Sequence, residues 1–198
     1  MNEADTCRKY VVPKLVAAGW DEEPHSITEQ RSFTDGRIMV SGGKVRRGKQ
    51  KRADYLLRYT RDFPLAVVEA KSLYATSSSG LEQAKEYAEI LGLKFAYSTN
   101  GKGICEFDFI TGNERELEAF PSPDELWERL RMSEGLNDEQ AARLLTAFYL
   151  DFEKRARYYQ EVAINRTVQA VLKGRKRILV TMATGTGKTF VAFQVCWK

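Results

Sequence analysis

The 198-residue chain is predicted to be α/β: a mixed central β-sheet flanked by helices, followed by more helices and the opening of a second sheet-based unit. Three observations predict this. β-prone runs at 54–59, 65–70, 95–99 and 104–109 are interleaved with helical periodicity at 81–91 and 126–131, the order that builds a sheet covered on both faces. Glycine and asparagine close these elements at Gly19, Gly92 and Asn100-Gly101. Near the end of the chain, Arg177-Ile-Leu-Val-Thr181 runs into Gly185-Thr-Gly-Lys-Thr189 and then an apolar helix, the strand, glycine turn and helix of a phosphate loop.

Asn2 to Ala18 reads as a helix with Tyr10, Val11, Leu15 and Val16 on its apolar side, kinked or restarted at Pro13 and stopped by Gly19. Asp21 to Glu29 is polar and holds several acids. Thr34-Asp-Gly-Arg37 is a turn into a short strand, Ile38 to Val40. Asp54 opens an apolar run, Arg61-Asp-Phe-Pro64 supplies a turn, and Leu65 to Ala70 forms a second run, so 54–70 is a hairpin. A helix follows from Leu81 to Leu91, then a buried strand from Phe95 to Thr99 and an alternating strand from Ile104 to Phe109, on which Glu106 and Asp108 face away from Cys105, Phe107 and Phe109. Ser122-Pro-Asp-Glu125 is a helix start with an N-cap serine and proline at the first position. Ser133 to Asp138 is the first linker, and helices are expected at Glu139–Leu150 and Ala156–Leu172. Arg177 to Thr181 is expected to be a short buried strand.

Composition excludes several classes. No run approaches the roughly 18 apolar residues of a membrane helix, and the N-terminus lacks the design of a signal peptide, so no membrane partner and a cytoplasmic location are expected. The three cysteines are scattered and fit neither a disulfide framework nor a zinc site, and a single histidine makes a Ser-His-Asp triad a poor fit. Net charge is only +4, but Lys44, Arg46, Arg47, Lys49, Lys51 and Arg52 fall within nine residues that hold no acid. A phosphate backbone suits that run, and so does a solvated hairpin tip.

The basic run ends beside the chemistry-bearing hairpin. Residues two apart on a strand share a face, so Glu69 and Lys71 project together, and Asp54 on the neighbouring strand reaches them if the register is right. Two carboxylates beside an ammonium suit Mg²⁺, bound by Asp54 and Glu69 with help from the Ala70 carbonyl. Lys71 then holds or helps deprotonate the attacking water and steadies developing charge. Glu29 is a further candidate ligand. At the end of the chain, Gly185 and Gly187 let the backbone wrap phosphate together with Thr186, Lys188 reaches the terminal phosphates, and Thr189 takes the magnesium. Met182 stands where the strict pattern has glycine.

Asp54, an apolar hairpin and Val67-Val-Glu-Ala-Lys71 together resemble the PD-(D/E)xK nuclease core, with Ala53 where the family has proline. Gln83-Ala-Lys-Glu-Tyr87 is similar to the Gln-x3-Tyr element of the RecB-like branch, which lies beside the active site in that family. Gln160, in Arg157-Tyr-Tyr-Gln160, resembles the adenine-reading glutamine of superfamily 2 helicases. Taken with Ser98-Thr-Asn-Gly101 and Phe120-Pro-Ser-Pro-Asp-Glu-Leu126, the chain resembles the N-terminal part of the restriction (R) subunit of type I restriction-modification enzymes. That resemblance implies a restriction-endonuclease-like nuclease domain at 1–135, a linker helix at 136–155 and the start of a RecA-like motor at 156–198, cut short within its first helix. It further implies Mg²⁺-dependent cleavage of double-stranded DNA, an ATP-driven motor using Mg²⁺, and methyltransferase and specificity subunits as partners. The alternatives are a catalytically silent DNA-binding or docking module attached to the translocase, and a translocase whose N-terminal domain is incidental.

Overall fold

The structure, a computed structural model, describes residues 3–34, 38–41, 44–47, 50–149 and 155–198, and only the backbone of 3–4, 38–41 and 44–47. The chain begins with α1 (Glu3–Thr6), a π-helical turn (Cys7–Val11) and α2 (Val12–Ala17), where Pro13 sits in the first turn of α2 and so opens its second half. A six-stranded mixed sheet follows, in the order β1-β4-β5-β6-β7-β8, made of β1 (Ser26–Thr34), β4 (Gln50–Thr60), β5 (Phe63–Ala70), β6 (Phe95–Thr99), β7 (Ile104–Asp108) and β8 (Asn113–Leu117). The short strands β2 (Ile38–Ser41) and β3 (Lys44–Arg47) pair with each other apart from it. All neighbours are antiparallel except β5 and β6, which run parallel because α3 (Leu81–Leu91) carries the chain back across the sheet.

The helix α3 forms where Leu81, Ala84, Tyr87, Ala88 and Leu91 recur at helical spacing and bury one face. It covers Ala53, Leu56, Val67 and Ala96 of the sheet. Fully burying an aliphatic or aromatic side chain of this size contributes about 1.5–3 kcal/mol. Gly92, left-handed at φ +73°, ends α3, and the Leu93 N–H donates to the Ala88 carbonyl. The opposite face carries Tyr55, Val68, Phe95 and Tyr97 against Leu15, Trp20 and α4 (Pro123–Glu134). As the sequence predicts, Ser122 caps α4, its Oγ accepting from the Glu125 N–H.

Both outer strands, β1 and β8, lie where the sequence suggested none. Their residues are mostly polar (Ser26-Ile-Thr-Glu-Gln-Arg-Ser-Phe-Thr34 and Asn113-Glu-Arg-Glu-Leu117), as suits strands with one open edge. Three further expectations are corrected. The linker at 133–138 is a tight helix-to-helix corner: α4 runs to Glu134, Leu136 is buried, and α5 (Asp138–Leu145) starts at once under an Asn137 capping box. The helix expected to reach residue 150 stops at Leu145, because the backbone beyond it finds tertiary partners: the Phe148 N–H donates to Asp62 Oδ2, and the Tyr149 N–H to Gln194 Oε1. Residues 177–181 form no strand, and Leu179 is 92 % exposed. A buried strand needs neighbours to take its backbone groups, and among the described residues none flanks this segment.

The last helices, α6 (Tyr158–Leu172) and α7 (Lys188–Trp197), pack on the sheet assembly, with Ile164, Val168 and Val191 in the same buried cluster as the sheet face. Polar links join α6 to it as well: Tyr158 Oη donates to the Thr34 carbonyl and Asn165 Nδ2 to the Asp62 carbonyl. Among the described residues no helix is long and apolar enough to cross a membrane.

Candidate active site

β4 and β5 bring Asp54 and Glu69 side by side. The register pairs Tyr55 with Val68, which puts Asp54 opposite Glu69 one step further along, and the Asp54 N–H donates to Glu69 Oε1 at 3.3 Å. The slip that could have turned Asp54 away therefore does not occur. Asp54 Oδ2 accepts from the Ala70 N–H at 2.9 Å, which locks its carboxylate over the end of β5.

Lys71 leaves β5 with its N–H bonded to the Thr99 carbonyl, extending the ladder with β6 by one residue. Its Nζ donates to Gln83 Oε1 at 2.9 Å and lies 3.9 Å from Glu69 Oε2. From α3, Gln83 Nε2 donates to Glu69 Oε2 at 2.8 Å and to Tyr87 Oη at 3.0 Å. Gln83 is thus the hub, and the four-residue spacing that puts Gln83 and Tyr87 on one helical face explains why both reach the strands. Glu69 is only 1 % exposed, and hydrogen bonds to a buried carboxylate are among the stronger ones.

Gly80 lets α3 begin this close to the strands. A Cβ there would lie 2.8 Å from Lys71 Cε, 2.8 Å from Ser98 Oγ and 3.3 Å from Glu69 Cβ. Gly80→Ala is expected to lower stability by about 1–3 kcal/mol through overpacking, read as a fall in Tm by thermal denaturation; an unchanged Tm would show that Lys71 swings aside without cost.

Sequence reading missed one residue here. Gln30 on β1 donates from Nε2 to Asp54 Oδ1 at 3.2 Å, and it is the only non-glycine with positive φ among the described residues, at +52°. The β1–β4 ladder skips Gln30, and Ala53 and Leu56 both pack under α3 although strict alternation would separate them. A local break in the pleat at Gln30 and Asp54 therefore aims the carboxylate, as bulges beside functional sites do. No periodicity in 21–29 signals this. Glu29, the additional ligand suggested by sequence, is exposed and pairs with Tyr55, whose ring belongs to the opposite face, so it is not brought to the carboxylate pair. Among the described residues no three His, Cys, Asp or Glu side chains gather in a metal-ready group.

The basic run is redistributed. Lys44, Arg46 and Arg47 lie on β3, with only their backbone described, and Lys49 is outside the described residues. Lys51 is not a free loop cation: it pairs with Glu86 and sits 5.8 Å from the Tyr87 ring centroid. Arg52 is exposed on β4.

At the other end, Gly185 and Gly187 are left-handed at φ +77° and +86°, and Gly187 caps α7. Lys188 Nζ donates to the Met182 and Ala183 carbonyls, curling the turn, and Thr189 is exposed in the first turn of α7. Gln160 is buried: its Oε1 accepts from the Arg157 N–H and its Nε2 donates to the Thr186 carbonyl at 2.8 Å. A Cβ at residue 187 would meet the end of that flexible amide side chain, and the left-handed φ is what favours glycine there.

Residues 153–198 match the family model described as "Type III restriction enzyme, res subunit". The chain is 39 % identical along its whole length to the Type I restriction enzyme EcoAI endonuclease subunit of Escherichia coli, of which it spans 25 %. It is 33 % identical over 151 residues to the EcoKI endonuclease subunit of E. coli K12, spanning 12 % of that chain. A fragment structure from Vibrio vulnificus, of a chain described as an HsdR subunit of a type I restriction enzyme, superposes with a TM-score of 0.88 at 61 % identity, covering all of this chain and 38 % of the other. The homologues of this chain are therefore endonuclease (HsdR) subunits of type I restriction enzymes, matched along its full length although it spans well under half of theirs.

Proposed function

We propose that the chain carries the Mg²⁺-dependent, double-stranded-DNA nuclease site of a type I restriction enzyme R subunit, together with the nucleotide-phosphate turn that opens its ATP-driven motor. The observation that carries this reading is the joining of Asp54, Glu69, Lys71, Gln83 and Tyr87 into one hydrogen-bonded group at the sheet end. We assign the nuclease to residues 1–135, the connection to 136–155 and the motor opening to 156–198. Methyltransferase and specificity subunits complete the complex, and the exposed Arg52 offers its charge to the DNA backbone.

The donor set fits magnesium: carboxylate and carbonyl oxygens, with no sulfur or imidazole. Asp54 and Glu69 are the residues to hold it. When bound, the cation supplies Lewis-acid polarisation of the scissile phosphate and a more acidic water. Lys71, steadied by Gln83, places positive charge where phosphate oxygens gain negative charge and offers a site for the attacking water. Gln83 keeps Glu69 and Lys71 in register, and Tyr87 Oη fixes the Gln83 amide. At the motor end, Gly185, Thr186 and Gly187 wrap phosphate, Lys188 turns from the Met182 carbonyl to the terminal phosphates, Thr189 serves the motor's magnesium, and Gln160, the adenine-reading candidate, is tied to the turn through the Thr186 carbonyl.

Titration with Mn²⁺ as a spectroscopic stand-in tests the nuclease site. Binding that vanishes in Asp54→Ala supports it, whereas no binding dependent on Asp54 or Glu69 points to a silent docking module. Gln30→Gly is expected to lower cleavage about ten- to hundredfold through loss of a hydrogen bond to a charged group, while stability holds or rises as the left-handed strain disappears. Cleavage rates and melting curves of the same variant check both halves.

A further inference from the structure

Where β1, β4 and the β4–β5 turn meet the start of α6, a cavity of about 180 Å³ is lined by Arg31, Arg58, Arg61 and Arg155 with only Asp62 and Glu161 to balance them. Both acids are engaged. Glu161 takes a two-pronged contact from Arg58, at 2.5 and 3.2 Å, and Asp62 accepts from the Phe148 N–H and lies 3.8 Å from Arg61 Nε. Arg58 is also occupied, donating to Thr28 Oγ1 and the Arg61 carbonyl. Arg31 comes no nearer to Glu161 than 3.9 Å, and its Nε is the only buried side-chain nitrogen or oxygen among the described residues that lacks a hydrogen-bond partner. Burial pulls the Arg31 pKa below its ordinary value; Glu161 opposes this, and Arg58 and Arg155 add to it by repulsion. A buried guanidinium N–H without an acceptor, in a polar cavity with surplus positive charge, lacks an oxyanion.

We infer that this arginine cavity binds a phosphate group, with Arg31 and Arg61 as its principal donors. The planar forks of two arginines match the paired oxygens of a phosphate, and the cavity has room for one with accompanying water. The group has two possible sources, a DNA backbone phosphodiester or free phosphate. Because Arg31 is the neighbour of Gln30, and Glu161 of Gln160, an occupied cavity ties the strand that aims Asp54 to the helix that holds the glycine turn.

The test compares the protein in potassium phosphate and in potassium chloride at equal ionic strength. Phosphate is expected to raise Tm by about 4 °C, and Arg31→Gln should abolish that rise. Arg61→Gln, at a half-exposed position, serves as the second variant if Arg31→Gln does not fold. A second arm measures the salt dependence of binding to a short duplex. A slope smaller by about one in either variant identifies a backbone phosphodiester, and an unchanged slope with a lost phosphate effect identifies free phosphate. Because phosphate stabilises folded proteins in general, a rise of the same size in both variants as in the unaltered protein, together with unchanged slopes, would overturn the inference. Neither arm reads metal binding or cleavage, so its failure leaves the nuclease reading standing, and the reverse holds too.

Discussion

Glu69→Gln is expected to lower cleavage of duplex DNA by about a thousandfold or more, while ATP-driven movement along DNA continues in the assembled enzyme. Glu69 is the most buried member of the site, and its two oxygens accept from the Asp54 N–H and from Gln83. Glutamine keeps the shape but removes the charge and turns one acceptor into a donor, at a stability cost of about 1–3 kcal/mol. A melting curve alongside the assay separates that cost from the chemistry. Lys188→Ala is the converse experiment: it should stop movement, and cleavage that depends on movement, without altering Mn²⁺ binding. Full cleavage by Glu69→Gln, or loss of movement along with cleavage, would defeat the assignment of nuclease and motor to separate parts of the chain.

The largest purely structural effect is expected at Glu106. Although β7 alternates as its sequence predicts, the polar face is also covered: Glu106 is 0 % exposed and accepts from Arg129, Arg115 and Tyr97 Oη. Arg129 further bonds Asp108 and lies 4.6 Å from the Phe95 ring centroid. Glu106→Ala should cost about 3–5 kcal/mol by urea denaturation, because it breaks a buried ion pair, leaving the Arg129 guanidinium only Asp108 and the buried Tyr97 hydroxyl without its acceptor. Arg115→Ala, at a half-exposed position, should cost about 1 kcal/mol or less. Burial alone would raise the Glu106 carboxyl pKa, but the bonds from Arg129, Tyr97 and Arg115 hold it below the ordinary 4.5. The sign follows from linkage. The unfolded chain binds the proton more tightly, so this contribution is present above pH 4.5 and is lost as pH falls through the lower folded value. Glu106→Gln should therefore flatten the acid limb of the stability curve, and an unchanged limb would place the acid-sensitive group elsewhere.

Much of the central sheet was legible from local pattern. The helix at 81–91 and the strand at 95–99 match their expected bounds because an apolar face and a closing glycine or asparagine are properties of the segment itself. The Glu69–Lys71 pairing follows from strand geometry, and the Gln83–Tyr87 pairing from helix geometry. The edge strands were not legible, since a strand with one open side needs neither apolar alternation nor aliphatic density, and β8 has only Leu117 as an apolar residue. Gln30 was hidden for a related reason: its place in the site depends on a break in the pleat that no side-chain pattern announces.

By itself, the sequence determined which segments present the candidate residues: two acids and a lysine on a hairpin, glutamine and tyrosine one helical turn apart, and glycines at 185 and 187, where the backbone is left-handed. Only the tertiary structure decided how these meet. It set the register that puts Asp54 against Glu69, made Gln83 the hub between Glu69 and Lys71, and ended the helix at Leu145 so that Asp62 and Gln194 could take the backbone beyond it. It also left 177–181 unpaired. The physical reason is the same in each case: local pattern sets the face a side chain occupies, whereas hydrogen-bond partners distant in sequence set what that face meets.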